Sequence, residues 1–409
     1  MRCDRFKVKW CEFGSVLRTE YKHIFTDAGV ILVLVIALLL YSTVYSLAYK
    51  NQVLRSIPVA VVDMSQTASS RHLARVMDAT PNIEVAYKPS SMDEARALFF
   101  DRKVNGIVYI PENYEQRLLK GVQANVGIYA DASYFLMYKQ FFYDAVAAIN
   151  SVGHQVKLDR YLAADIPRPI AQAVAEPLVF KAKNLYNPYG GYGTFIMPAI
   201  IIVIIQQTLL IGIGMIGGTW REFGIYRKLV RPGEKRLSVI PIVLGKAVTY
   251  TSIYAVTGFV VLGLLYKLFG FPMNAPFLRV VAFMVPYLLC CIFLGIAVST
   301  LFRYRENSLI FLLWSSIPVL LISGASIPAE GLPHGLYLLG KLLPSSNGVE
   351  GFLRIQTMGA SLSEVWAPYC TLWVLMLVFF VLACLGLRRV ISREMRAAQT
   401  ETAEPAAEA

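Results

Sequence analysis

The sequence predicts an α-helical polytopic membrane protein with six transmembrane helices and an inserted α/β extracytoplasmic domain. Three observations support this prediction. The 409-residue chain is 56% hydrophobic and only 16% charged, whereas ordinary soluble domains are roughly 45–50% apolar and about 25% charged. Six long stretches contain no Asp, Glu, Lys or Arg. One large polar region, residues 50–190, alternates strand and helix patterns.

Each of the six apolar stretches is long enough to cross a bilayer, which takes about 20 residues at a rise of about 1.5 Å per residue. They are residues 28–49, 195–218, 247–266, 280–302, 307–329 and 365–387. The first is longer than the roughly 7–15-residue hydrophobic region of a cleaved signal peptide. We therefore interpret it as a retained anchor.

Lysine and arginine are distributed unequally between the two ends of these stretches. They are frequent before the first stretch, between the second and third, after the fourth and after the sixth. The short loops on the other side carry only Lys267, Arg279, Lys341 and Arg354. Because positive residues are enriched in cytoplasmic loops, we predict that both termini are cytoplasmic and that residues 50–190 are extracytoplasmic.

The two terminal segments have different patterns. Within residues 1–27, apolar side chains recur at helical spacing while Glu12, Arg18, Glu20 and Lys22 fall elsewhere on the wheel. The recurring side chains are Trp10, Phe13, Leu17, Tyr21 and Ile24. We predict a cytoplasmic amphipathic helix at the membrane interface; an ordinary amphipathic helix without a partner is the alternative. Residues 397–409 lack apolar periodicity and are predicted to be disordered.

The polar region alternates short apolar runs with helical patterns. Strands are predicted at 57–63, 83–87, 105–111 and 125–131, each followed by a helical segment. Such alternation predicts a small α/β domain with its own core. It contains no cysteine, so it has no internal disulfide, and no catalytic group can be assembled in it.

Composition and spacing argue against several other functions. The net charge of +12 is concentrated at the ends of apolar stretches, unlike the basic face of a nucleic-acid-binding protein. The four histidines are scattered, and no His, Cys, Asp or Glu cluster has the spacing of a metal site. We predict no catalytic residue, no metal and no nucleic acid partner.

Two glycine-containing stretches match sequence patterns of nucleotide-binding sites. Residues 212–217, GIGMIG, fit G-x-G-x-x-G but lie inside an apolar run rather than between a strand and a helix. Residues 335–342 have P-loop spacing, yet Leu342 stands where Mg²⁺ binding requires Ser or Thr. We instead interpret the first motif as a packing surface, because small residues let helices approach closely. Its glycines are Gly212, Gly214, Gly217 and Gly218.

Gln206 and Gln207 are the most polar residues of the second stretch. A buried amide in a membrane helix normally faces the bundle. Interhelical hydrogen bonding and the lining of a substrate path are both compatible with this position.

The longest cytoplasmic connection, 219–238, contains TWREFGIYRK at residues 219–228. A helix that begins near Thr219 is favoured by Glu222 in its first turn and by the basic residues in its last. The basic residues also hold the loop on the cytoplasmic side. That role alone does not require the pattern from Trp220 to Tyr226.

The chain resembles the permease subunits of type-2 ABC exporters, in the subgroup whose large extracytoplasmic domain follows the first span. The resemblance covers roughly residues 5–395 and rests on the order of four stretches together with the six-span layout. The stretches are IPVAVVDMSQTASSRHLARVMDATPNIEV; MDEARALFFDRKVNGIVYIPENYEQRLLKG; Arg221-Glu222 continuing into LGKAVTY; and LISGASIPAEGLPHGLYLLGKLLPSSNGVEGFLRI.

The resemblance implies a permease in the cytoplasmic (inner) membrane of a bacterium that pairs with a second permease copy or paralogue and with two ABC ATPase subunits. ATP and Mg²⁺ would bind the ATPase chains, and this chain would hold no cofactor. In a host with two membranes, a periplasmic adaptor protein is a further implied partner.

The resemblance also assigns roles to segments. The loop after span two would be a coupling helix seated on the ATPase, formed by Trp220, Arg221, Glu222, Gly224, Arg227 and Lys228. Residues 328–364, broken at three prolines, would form an outer re-entrant or short-helix element. The chain departs from the family pattern at Glu222-Phe223-Gly224-Ile225, where the family has an acidic pair and Gly-Thr, and at Arg231-Pro232.

Two functions follow from these observations. The first is the permease subunit of an ATP-driven exporter that moves a hydrophobic or amphipathic molecule, such as a drug, lipid or glycolipid, outward. The absence of Asp, Glu, Lys and Arg from the six stretches argues against a proton-coupled transporter. The alternative is a non-transporting receptor or scaffold whose α/β domain binds a ligand or partner.

Overall fold

The computed structural model describes residues 2–50, 54–178, 183–188, 190–226 and 239–403. The chain divides into two compact units. One comprises Met1–Lys50 with Leu185–Ala409, and the other comprises Asn51–Asn184. Arg227 and Lys228, and with them most of the predicted coupling loop, lie outside the described residues.

The first unit is a helix bundle. Helix α1, Arg2–Thr26, precedes six helices that are long and apolar enough to cross a membrane, counted over the described residues. These are α2 (Ala28–Ala48), α8 (Tyr192–Glu222), α9 (Ile240–Phe269), α10 (Phe277–Ser299), α11 (Arg305–Ile322) and α14 (Trp366–Ala403). The prediction of a helical polytopic membrane protein is confirmed.

Helix α8 is the centre of the bundle. In its most apolar window 89% of the residues are buried inside the protein, against 11% for α11. It packs against α10, α11 and α2. The charge-free part of α8, Tyr192 to Trp220, is therefore surrounded by protein, while α11 presents most of its surface to the surroundings.

Short elements connect the last two spans. A 3₁₀ turn at Ala329–Gly331 is followed by α12 (His334–Lys341) and α13 (Pro344–Phe352), which continues as a π-type stretch at Leu353–Thr357. Helix α12 begins directly after Pro333 and α13 begins at Pro344. Both positions suit proline, whose fixed φ fits the start of a helix and whose missing N–H is not needed there.

The C-terminal tail differs from the prediction. Helix α14 continues to Ala403, so residues 397–403 are helical where the sequence predicts disorder. An alanine-rich segment extends an existing helix at low cost, because adding a residue avoids the unfavourable nucleation step. Periodicity of apolar residues does not report this kind of extension.

The second unit contains a four-stranded sheet in the order β2-β1-β3-β4. Its strands are β1 (Ile57–Asp63), β2 (Ile83–Tyr87), β3 (Gly106–Ile110) and β4 (Gly127–Ala130). The helices are α3 (Ala68–Asp78), α4 (Met92–Phe100), α5 (Tyr114–Leu119), α6 (Phe135–Ala163) and α7 (Arg168–Ala175). Strand β1 is parallel to β2 and β3, and β4 is antiparallel to β3.

Both faces of β1 are covered. Val59 and Val61 belong to a core formed with α3 and α6, while Ala60 and Val62 pack with residues of α4 and β3. This explains why β1 is apolar at nearly every position rather than at alternate ones.

Candidate functional site

Trp220, Arg221, Glu222 and Gly224, the predicted coupling residues that the structure describes, lie at one end of the bundle, where α1 packs against α9 and where α8 ends. We call this region the α1 end. Trp220 is completely buried, Glu222 is exposed, and Gly224 follows α8 with φ of +59°. A left-handed residue at this position terminates the helix and favours glycine.

Arg221 binds its own chain. Its Nη1 donates to the carbonyl oxygens of Thr300 at 3.0 Å and Phe302 at 2.7 Å. Those carbonyls follow the C-terminus of α10, where backbone oxygens have no helical partner and where the helix dipole favours a cation. Arg221 therefore links the end of span two to the end of span four.

Trp220 forms the centre of an aromatic group that also contains a charge. The Nζ atom of Lys246 lies 3.7 Å from the centre of the Trp220 ring. Tyr226 and His23 approach the same indole edge-on, with ring centroids at 5.2 Å and 5.8 Å. A cation this close to a desolvated indole face is attracted by the ring quadrupole.

A buried ion pair completes this group. Lys246 Nζ donates to both carboxylate oxygens of Glu20 at 2.8 Å, and Tyr250 Oη donates to Glu20 Oε1 at 2.5 Å. The side chains of Lys246 and Glu20 are 3% and 0% exposed. A buried carboxylate is tolerated because every close contact here is a donor. We call Glu20, Lys246, Tyr250, Trp220 and Tyr226 the anchor cluster.

Electrostatics keep Tyr226 neutral. Burial, followed by the nearby carboxylates of Glu20 and Glu394, raises the pKa of the Tyr226 phenol. The phenol therefore stays protonated at physiological pH. The net charge of the anchor cluster is set by Glu20 and Lys246 alone.

A second ion pair lies beside the start of span one. Arg305 makes a two-pronged contact with Asp27, through Nη1 to Oδ2 and through Nη2 to Oδ1. Asp27 Oδ1 also accepts from the backbone N–H groups of Gly29 and Val30, so it caps α2. Burial alone would raise the Asp27 pKa, but the hydrogen bonds from Arg305 and the two backbone groups outweigh it and lower that pKa.

The four glycines of span two contact three different helices. A Cβ atom added to Gly212 would lie 2.2 Å from Leu34 of α2, and one added to Gly214 would lie 2.2 Å from Ser308 of α11. At Gly217 the nearest atom would be Ser299 Cβ of α10 at 2.6 Å. Gly218 faces backbone atoms of Arg305 at 2.7 Å. The close approach is therefore spread around α8 rather than confined to one face.

The two glutamines of span two are buried. Gln206 is 0% exposed and its Oε1 lies 4.0 Å from Cys291 Sγ of α10. Gln207 is 8% exposed, and neither of its amide atoms has a hydrogen-bond partner among the described residues. An unpaired buried amide is costly, which makes Gln207 the more unusual of the two.

Over residues 28–385 the sequence matches the family described as ABC-2 family transporter protein. The chain belongs to the ABC-2 transporter family. The resemblance drawn from the sequence is therefore confirmed at the level of the family. With six apolar helices among its described residues, this ABC-2 family member is a multi-pass membrane protein.

Two relatives of this ABC-2 chain come from Escherichia coli (strain K12). One, named "Probable multidrug ABC transporter permease YbhR", is 26% identical over 197 residues, which are 48% of this chain and 52% of the relative. That match spans about half of the relative's length. The other, "Inner membrane transport permease YhhJ", is 22% identical over 355 residues, 82% of this chain and 86% of the relative.

Sequence reasoning missed most of the charged contacts of this ABC-2 chain. It placed Glu20 off the apolar face of the first helix and named no partner for it, whereas Glu20 is buried against Lys246. Lys246 directly precedes the predicted third stretch, 247–266, but it lies inside α9, which begins at Ile240. The available signal was the position of Lys246 only one residue before an apolar stretch, together with a carboxylate on a neighbouring amphipathic helix.

Proposed function

We propose that this chain is the permease subunit of an ATP-driven exporter that moves a hydrophobic or amphipathic molecule out across the cytoplasmic membrane. Family membership and the helix bundle support a transport role. The apolar spans favour an uncharged or amphipathic cargo, because apolar side chains dominate the interior of the bundle. The multidrug name of one relative is consistent with such a cargo.

The proposed orientation places the α1 end in the cytoplasm and the α/β unit outside. It rests on the lysines and arginines that flank the spans on the α1 end. Along the chain, Asn51–Asn184 follows span one, which would run outward, and precedes span two, which would run inward. In this position the α/β unit is available to an outside partner such as a periplasmic adaptor.

We further propose that the surface contacted by the ATPase begins at Glu222. Trp220 is buried and Arg221 is bound to the end of span four, so these two residues fix the segment rather than meet a partner. Glu222 and Phe223 are exposed, the latter by 68% of its surface. An exposed aromatic ring is a residue type enriched at docking surfaces, and a neighbouring carboxylate suits the polar rim of such a surface.

A second permease copy or a paralogue is the other proposed partner. Span five supports this, since only 11% of its most apolar window is buried and Trp314 and Ile317 are 79% and 66% exposed. In a bilayer such a surface faces lipid or another helix. Two permeases with two ATPase subunits, which bind the ATP and Mg²⁺, complete the proposed transporter.

The experiment that tests the function is co-reconstitution with the candidate ATPase in liposomes. We expect the two chains to copurify, to hydrolyse ATP in a vanadate-sensitive manner and to move a hydrophobic fluorescent dye against its gradient. An ATPase whose Walker lysine is replaced is the matched control and should bind without transport. If no ATPase copurifies under any condition while the α/β unit captures an outside ligand, the receptor or scaffold function replaces this proposal.

A further inference from the structure

The last turn of α8 packs directly against the connection between spans four and five. This connection, residues 300–304, joins the end of α10 at Ser299 to the start of α11 at Arg305. A Cβ atom added to Gly217 would lie 2.6 Å from Ser299, and one added to Gly218 would lie 2.7 Å from backbone atoms of Arg305. Contacts this close leave little room for the two segments to move independently. We call residues 300–304 the α10–α11 turn.

Arg221 adds directional contacts at the same place. Both carbonyl oxygens that accept from its Nη1, those of Thr300 and Phe302, belong to the α10–α11 turn. Its Nε is buried and has no hydrogen-bond partner among the residues that the structure describes. The guanidinium is therefore partly withdrawn from water, where a hydrogen bond from a charged donor is stronger than at the surface. Within the described ranges, every side-chain hydrogen bond from the last turn of α8 to the α10–α11 turn comes from Arg221.

Arg221 also directly precedes the exposed pair Glu222 and Phe223, which form the proposed docking surface. Trp220, one residue earlier, contacts Lys246 of α9 instead. Displacement of an exposed segment reaches other helices through packed side chains, hydrogen bonds and rigid helices. Arg221 provides such a contact to spans four and five within one residue of the surface.

We propose that Arg221 is a positioning residue for transport. It holds the α10–α11 turn against the docking surface, so that movement of that surface by the ATPase is passed to spans four and five. The passing of movement rests on the proposed exporter function, whereas the holding of the turn does not. The resemblance to type-2 ABC exporters implies that Arg221 meets the ATPase; in this proposal it acts inside the permease, through Thr300 and Phe302.

The first measurement tests the holding of the turn and contains no ATPase. The backbone amides of residues 300–304 are followed by hydrogen–deuterium exchange and mass spectrometry in the purified, full-length permease. Arg221→Met keeps a long apolar side chain and removes the donors, so local opening of the turn should become more frequent. We expect exchange about tenfold faster than in the wild type, the change that the loss of a hydrogen bond from a charged group provides.

Two further variants separate the contact from the loss of a charge. Arg389→Met is the matched control, because Arg389 is an exposed arginine of α14, three residues beyond Gly386, which packs against Thr300. It should exchange like the wild type at residues 300–304. Arg221→Lys keeps the cation but replaces the planar guanidinium by a single ammonium, so its exchange should lie between the wild type and Arg221→Met. Melting temperatures of all variants establish that they are folded.

The second measurement tests the passing of movement. Each permease is reconstituted with the candidate ATPase in liposomes, and the hydrophobic dye transported per ATP hydrolysed is measured together with the amount of ATPase bound. Arg221→Met should bind the ATPase and hydrolyse ATP, since Glu222 and Phe223 are unchanged. Its dye-to-ATP ratio should fall roughly threefold to thirtyfold, the size of effect expected of a residue between two coupled sites. A merely structural role would instead lower the melting temperature, ATPase binding and hydrolysis together.

Three results would overturn the inference. They are wild-type exchange at residues 300–304 in Arg221→Met, a wild-type dye-to-ATP ratio in that variant, and a loss of ATPase binding at an unchanged melting temperature, which would assign Arg221 to the docking surface. If the wild type itself binds no ATPase, the exporter proposal fails, and exchange in the α10–α11 turn still decides whether Arg221 holds it. The two failures are therefore distinguishable.

Discussion

Two ion pairs at the α1 end tie the N-terminal segment to the bundle, and they differ in their access to water. Glu20 and Lys246 are 0% and 3% exposed, and they join α1 to span three. Asp27 and Arg305 are 22% and 28% exposed, and they join the start of span one to span five. One carboxylate–cation pair therefore lies in the protein interior, and the other lies at its partly exposed rim.

The difference in exposure determines what each ion pair contributes to stability. A fully buried ion pair has already lost its hydration, so it is tolerated only while all its partners are present. Removing one charged partner leaves the other as an unpaired buried charge. An ion pair at the rim, such as Asp27 with Arg305, stays partly hydrated and contributes only modestly to stability. The buried pair therefore fixes where α1 and Trp220 sit, whereas the rim pair adds a hydrogen-bonded cap to α2.

Removing one half of the buried pair should have the largest effect. Lys246→Met leaves the Glu20 carboxylate buried without its cation, and we expect a loss of about 3–5 kcal/mol in stability. The measurement is the thermal unfolding of the purified permease in a fixed detergent.

A double variant sharpens this prediction. Glu20→Leu combined with Lys246→Met removes both charges, and it should recover most of the loss because no ion remains unpaired. If the single and double variants unfold at the same temperature, the contact is not the coupled pair that its geometry indicates. The double-mutant cycle yields the coupling directly.

A substitution at Gly218 tests the packing beside the Asp27–Arg305 pair without removing a charged group. In Gly218→Ala the new methyl group would lie 2.7 Å from backbone atoms of Arg305, which cannot move aside as a flexible side chain can. We expect a loss of about 1–3 kcal/mol in stability, measured by thermal unfolding. Gly14→Ala in α1 is the matched control, because its Cβ would meet nothing within 4 Å and alanine favours a helix. Equal melting temperatures for the two variants would contradict the packing role of Gly218.

The rim pair should show a smaller effect that depends on pH. Because the folded-state pKa of Asp27 is lowered from its ordinary value of 3.8, its contribution is present above that value and is lost as the pH falls through the lowered pKa. Asp27→Asn retains a capping side chain and loses the pair, so we expect a loss of about 1 kcal/mol at neutral pH. The unfolding free energies of the wild type and Asp27→Asn are measured from pH 7 down to pH 3. The difference between them should narrow only at the acidic end of this range. A constant difference would contradict the assignment.

Much of the fold follows from local sequence patterns. The spans are visible as charge-free runs, and strands β1 to β4 lie where apolar runs alternate with helical ones. The limits of the helices are less visible, because a helix can continue into charged sequence. Span three begins at Ile240 rather than at 247, so that Lys246 lies inside it.

The candidate site is less predictable, because its contacts join residues far apart in the chain. The family resemblance implies that Trp220 and Arg221 meet the ATPase, yet both contact their own bundle. A sequence shows that a segment is charged and aromatic; it does not show which side chains face inward. Phe223, which no pattern singles out, is exposed at the end of α8.

The α1 end is divided between the buried anchor cluster and an exposed surface at Glu222 and Phe223. The most direct measurement is the amount of candidate ATPase that copurifies with Glu222→Lys, taken with the melting temperature of each permease variant. The matched control is Glu330→Lys, the same charge reversal in the connection between spans five and six.

We predict that Glu222→Lys unfolds like the wild type and retains roughly tenfold less ATPase, the change expected when about 1.4 kcal/mol of contact free energy is lost. Glu330→Lys should retain the wild-type amount. Undiminished copurification with Glu222→Lys, or a loss that only follows a lower melting temperature, would contradict the division between the anchor cluster and the docking surface.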